Sequence, residues 1–233
     1  MYVTEILDGR PYQCFIPKPL FPAVEASRIK AFATLDRELK RNIDAAGFVR
    51  RAAATVAQTR NKLDHENRLV EAEAVLNAWI ARERLGIEQL KKISAAFTGK
   101  HAAVFRSRPV WMGAMHPSDS WHVGSPPARL NSLMKNLAEL PQSNLPASLQ
   151  AMIGLIRLLQ IHPFEDGNGR VARFYAIWLV YRQLGPSIDA LNLLDMLCDR
   201  PRFDLNAVSL EVQNSGRFEA YLDRALGLYP TDS

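Results

Sequence analysis

Cysteine is scarce. Cys14 and Cys198 are the only two in the chain, far apart and outside any CxxC pair. That argues against a disulfide scaffold or a cysteine zinc site and fits a reducing compartment. Long apolar runs are missing too: the longest, Phe174 to Tyr181, is eight residues and cannot span a bilayer. The opening stretch MYVTEILDGRPYQC has no basic segment followed by an apolar one, so no secretory signal is expected. Nor is there a lysine- and arginine-rich tract or an RGG-like arm. The net charge of +5 therefore reads as a solvated basic surface, favouring anionic partners without pointing to nucleic acid. Together these absences lead us to expect a cytoplasmic protein with no membrane partner, export by a specialised machine aside.

What is present suits a globular chain with a sizeable core: 233 residues, 48% hydrophobic and 23% charged. Residues 1–22 carry Pro11, Pro17, Pro19 and Pro22 and are expected to form an extended, proline-rich lead-in. Residues 23–98 read as a helical region with few breakers. Ile29, Phe32, Leu35 and Leu39 recur at helical spacing, and LVEAEAVLNAWIARER is built from good helix formers. A shorter helix is expected over 86–97, ended by Thr98-Gly99.

From residue 99 onward the texture changes. VWM at 110–112 and WHV at 121–123 flank HPSD and predict a hairpin, the one convincing strand signal. Helices are expected at 127–140, 146–161 and 168–184, then within FDLNAVSLEVQ and GRFEAYLDRALGL. The helix at 146–161 is apolar around nearly its whole circumference and should be buried. The class is mostly α, a multi-helix bundle with one β-hairpin.

Between the last two long helices lies HPFEDGNGRVAR, residues 162–173. Pro163 ends one helix and the Asn168-Gly169 region starts the next. Phe164 should face inward. Gly167 and Gly169 allow the backbone to approach a ligand and turn N–H groups toward it. Arg170 and Arg173 stand near a helix start, where the dipole disfavours cations by about 0.3–1 kcal/mol each. That placement makes sense if an anion sits there, and a polyphosphate is the obvious one. Asp166 is a hard oxygen ligand suited to Mg²⁺. His162 has the neutral-range chemistry to take a proton from a hydroxyl. GNGRVA fits a loose dinucleotide pattern, but a buried helix precedes it where that fingerprint needs a strand.

This stretch resembles the signature of the Fic family, H-x-F-x-[DE]-G-N-G-R-x-x-R, matching every specified position. FIPKPLFP, GKHAAVFRSRPVWMG and WHVGSPPARLNSLMKNL resemble the family's lead-in and the segments before and after its flap, so residues 99–233 would be the Fic core. The resemblance implies a helical Fic fold with a β-hairpin flap. It also implies transfer of AMP from ATP, with Mg²⁺, to a Ser, Thr or Tyr hydroxyl of a target protein. His162 would be the general base and Asp166 the Mg²⁺ ligand. Asn168, with the N–H groups near Gly167 and Gly169, would hold the phosphates. Arg170 would support that cradle and Arg173 would grip the γ-phosphate. Met112, Gly113 and Trp121 are the flap candidates for aligning the target by strand addition.

Many Fic proteins carry an inhibitory helix with the pattern [ST]-x-x-x-E-[GN], whose glutamate pairs with the second motif arginine. KLDHENRL offers Glu66-Asn67, with Lys62 in place of Ser or Thr; SGRFEA offers Ser215 and Glu219, with Ala220 at the last position. A homo-oligomer or a separate antitoxin are further partners the resemblance admits. Two other readings stay open: the same fold using another nucleotide or removing AMP, and a non-enzymatic nucleotide-sensing regulator.

Overall fold

The computed structural model describes residues 1–17, 24–58, 65–101, 104–120, 122–198, 212 and 218–228. The chain opens with β1 (Tyr2–Leu7) and β2 (Arg10–Phe15), followed by α1 (Ala26–Glu38), α2 (Ala45–Ala57), α3 (His65–Trp79) and α4 (Ile87–Thr98). Next come β3 (Trp111–Met112), β4 (His122–Val123), α5 (Leu130–Leu137), α6 (Ala147–Ile161), α7 (Asn168–Leu184), α8 (Ile188–Cys198) and α9 (Phe218–Leu228). No helix among the described residues is long and apolar enough to cross a membrane.

The antiparallel neighbours α6 and α7 form the centre. Leu149, Met152, Ile153, Leu155, Ile156 and Leu158 of α6 are all buried, as an apolar circumference requires. Gly154 lets the two helices close up: a Cβ there would lie 2.9 Å from Leu179 Cδ1 and 3.0 Å from the Tyr175 ring. Helices α2 and α4 cover α7, α1 covers α6, and α8 sits against α2 and α7. One hydrophobic core runs from Ile16 to Ala225 and so crosses all three regions suggested by the sequence. The start of α6 follows Pro146 and lacks a side-chain cap of its own. Asp36 of α1 supplies it instead, accepting from Ala147 N (2.6 Å) and Ser148 N (3.0 Å). Free N–H groups at a helix start are thus satisfied by another helix.

Two expectations change. Residues 2–15 are not an extended lead-in but an antiparallel hairpin, in register from Tyr2 opposite Phe15 to Leu7 opposite Arg10. Its turn is Asp8-Gly9, with φ of 50° and 75°, the left-handed pair of a type I′ turn. The helical region is broken into α1, α2 and α3, and Asp44 caps α2 by accepting from Gly47 N at 2.9 Å. The expected hairpin around 110–123 is present but short, with Trp111 opposite Val123 and Met112 opposite His122. It does not stand alone: Tyr12 and Cys14 of β2 share a small apolar cluster with Val123, and Trp111 packs on it. FDLNAVSLEVQ lies outside the described residues apart from Val212, and Trp121, Lys62 and Ser215 lie outside them as well.

Candidate functional site

The end of α6 creates the site. His162 is its C-cap, in the left-handed region with φ of 51° and ψ of 60°, and its N–H bonds back to Leu158 O. The chain therefore reverses at His162 and throws the imidazole out of the helix line. His162 Nδ1 lies 3.3 Å from Leu159 O. A carbonyl only accepts, so Nδ1 carries the hydrogen and Nε2 keeps its lone pair. Burial is the main influence on the ring, followed by the imidazole of His122 on β4, whose centroid is 5.8 Å away. Together they lower the His162 pKa to about 4, against the weaker upward pull of the Leu159 carbonyl and Asp166. The group is thus neutral at physiological pH.

The loop that follows closes on itself. Phe164 is buried and stacks at a tilt on Phe105, with ring centroids 5.6 Å apart. Asn168 accepts from Phe164 N (2.9 Å) and donates to Phe164 O (2.8 Å), so its side-chain amide fastens both ends of the turn. Gly167, at φ of 78°, is the N-cap of α7. A Cβ at Gly167 would meet Thr98 Cγ2 at 3.1 Å, so only glycine fits both the angle and the gap. Asp166 is exposed; its Oδ1 accepts from Gly167 N at 2.6 Å and its Oδ2 is 3.7 Å from Arg170 Nη2.

The two motif arginines diverge. Arg170 is buried; its Nη1 donates to Glu71 Oε2 of α3 (2.9 Å) and to Phe97 O, and its guanidinium lies 5.7 Å from the Phe97 ring. Arg173 lies along Gly169, 3.4 Å from where a Cβ would be, and donates to Val56 O (2.9 Å) and Gln58 O (2.8 Å). Those carbonyls are the C-terminal end of α2, the negative end of its dipole. Burial lowers the Arg173 pKa, with Arg170 and Arg68 adding in the same direction. Glu66 is not at Arg173. It is an exposed residue of the first turn of α3, and Glu71, one and a half turns on, meets Arg170 instead. Glu219 stands in the first turn of α9.

On the flap side, Met112 N–H donates to Ser120 Oγ at 3.1 Å, and that hydroxyl donates back to Met112 O. Gly113 is exposed at φ of 94°, and Met115 at the tip is 98% exposed. Below the loop, a cleft of about 160 Å³ is lined by Lys91, Ser94, Lys100, Phe105 and Asp166 among others. Among the described residues, no cluster of three or more His, Cys, Asp or Glu side chains gathers to hold a metal alone. A single exposed carboxylate does fit a hard cation whose other ligands are phosphate oxygens and water.

Residues 84–180 match the family model of the Fic/DOC family, a span containing both the hairpin and the 162–173 loop. That span is similar to a Fic/DOC-family domain. Solved structures extend the likeness. A Fic family protein from Desulfovibrio desulfuricans matches at a TM-score of 0.58 and 16% identity, over 91% of this chain and 78% of that one. Fic-1 from C. elegans matches at 0.58 and 16%, over 86% and 68%. A variant of IbpAFic2 in complex with adenylylated Cdc42 matches at 0.54 and 13%, over 72% and 59%. At such identities the likeness is one of fold. A comparison with curated proteins gives no match.

Proposed function

We propose that the protein is an adenylyltransferase that moves AMP from ATP to a Ser, Thr or Tyr hydroxyl of a target protein. The observation that carries the reading is the single turn joining α6 to α7. It presents a neutral imidazole with a free Nε2 beside the N-terminus of a helix and an exposed carboxylate. In this reading the target oxygen attacks the α-phosphorus as its proton passes to His162 Nε2. The bond from the α-phosphorus to the bridging oxygen breaks, and pyrophosphate leaves with the electron pair. N–H groups at the start of α7 face the developing charge. The exposed carboxylate of Asp166 would hold Mg²⁺, which neutralises phosphate charge when bound. Arg173 would exchange the α2 carbonyls for the γ-phosphate.

The low pKa of His162 is compatible with this role. A polyphosphate placed next to the ring brings negative charge that favours the protonated form, so substrate strengthens the base where it is needed. The flap would align the target segment through its backbone. The IbpAFic2 complex with an adenylylated protein supports a protein substrate for this fold.

The test is label transfer from α-phosphate-labelled ATP with Mg²⁺, onto the protein itself and onto a cell lysate. His162→Ala should reduce transfer by about 10²–10⁴-fold, the usual worth of a general base, while ATP binding persists. Undiminished transfer by that variant would sink the proposal.

A further inference from the structure

Arg106 lies outside the 162–173 motif, in an irregular segment between α4 and β3, yet it is 3% exposed. Burial without a carboxylate is costly for a guanidinium and lowers the Arg106 pKa to about 10. The hydrogen bonds of its side chain go to main-chain carbonyls. Nε donates to His162 O at 2.7 Å, and Nη1 to Arg108 O at 2.8 Å. Nη2 donates to Ser125 O and, at 3.4 Å, to Ile161 O. Its own N–H donates to Pro163 O at 3.0 Å. Three successive carbonyls at the end of α6, those of residues 161, 162 and 163, therefore accept from one residue. The negative end of α6 suits the cation that does this.

The same guanidinium reaches the flap. Ser125 is the second residue after β4, Ser125 N donates to Ile161 O at 3.1 Å, and Gly124 N donates to Val110 O at 3.0 Å. Gly124 has no room for a side chain: a Cβ would lie 2.8 Å from Arg106 Nη2, 3.0 Å from His162 Cβ and 3.1 Å from Val110 Cγ2. Flap base, helix end and imidazole stem meet there with Arg106 between them.

We infer that Arg106 is a positioning residue for the transfer, fixing the left-handed turn at His162 to the returning strand of the flap. The imidazole and the target hydroxyl are then held at one separation. The inference rests on the adenylyltransferase reading. A misplacement of about 1 Å in such a site can cost about 10²-fold in rate.

The experiment uses the full chain as wild type, Arg106→Gln, Arg106→Lys and Gly124→Ala. Three quantities are read: the self-labelling rate against ATP concentration, the dissociation constant of ATP, and the His162 ring titration by NMR. The maximal rate should fall about 10²-fold in Arg106→Gln and about 10-fold in Arg106→Lys, which keeps the charge but not the fork. ATP affinity should stay within about 2-fold in both. Gly124→Ala should lower the rate with Arg106 intact. His162 should titrate nearer its ordinary value in all three, because the groups facing it are Arg106, His122 and Asp166 and the packing among them loosens. A folded Arg106→Gln protein with the wild-type rate would overturn the inference, as would ATP affinity falling in step with rate. If Arg106→Gln fails to fold, the other two variants carry the test. If the wild type transfers nothing, the adenylyltransferase reading fails, while the His162 titration still decides the clamp: unchanged in the variants, the clamp is refuted.

Discussion

The 162–168 turn and the 111–123 hairpin face one another but are built in opposite ways. The turn is held from within and from a distant segment: Asn168 bonds both ends of Phe164, Arg106 bonds the carbonyls of Ile161 and His162, and Phe164 is sunk into the core. The hairpin has two paired residues per strand, one serine that ties them, and an exposed methionine at its tip. Chemistry needs atoms fixed to a fraction of an ångström, whereas a surface that receives another protein's backbone needs only direction and free hydrogen-bonding groups. Under the proposed function, the contrast says where each task falls.

Three changes would break or sharpen that contrast. The largest is Asn168→Ala, which leaves a buried N–H and a buried C=O of Phe164 without their partners. We expect a loss of about 2–4 kcal/mol in denaturant unfolding, and transfer falling with it. Next comes pH. The folded pKa of His162 is about 4, below its unfolded value of about 6.5. Between those values the unfolded chain takes up a proton that the folded chain refuses. Stability is therefore full above about pH 6.5 and lost as pH falls toward 4, with a slope of up to about 1.4 kcal/mol per pH unit. In His162→Gln, unfolding measured across that window should lose this part of the slope. The smallest effect belongs to the flap tip, where Met115→Ser should leave unfolding within about 0.5 kcal/mol of wild type. A larger shift there would mean the tip is packed, not free.

The sequence made the scaffold legible where periodicity is unbroken. Helix α7 spans 168–184 as expected, α4 starts after Gly86, and α6 is buried all round. It misled at the N-terminus, where four prolines drew attention from Asp8-Gly9, the stronger signal, flanked by residues that pair. Helical spacing also hid the breaks among α1, α2 and α3, since periodicity marks faces and not ends; Asp44 three residues before Gly47 was the available cue.

At the site, residue types could be read but partners could not. Nothing local connects Arg170 to Glu71, or Arg173 to Val56, and Glu66, expected opposite Arg173, stands exposed in the first turn of α3. Arg106 had a signal of its own: it directly follows AAVF, four apolar residues leading into a segment with strand character. A cation in such company is either an error of folding or a structural fastener.

The left-handed backbone at His162 carries one more consequence. Glycine is the residue that helix ends of this kind favour, and any other side chain costs about 1 kcal/mol there. A sequence optimised for durability alone would put glycine at 162. If His162 is the base of the proposed transfer, usefulness and robustness pull apart at this position, and an engineer seeking a hardier protein would be led straight to the substitution that disarms it.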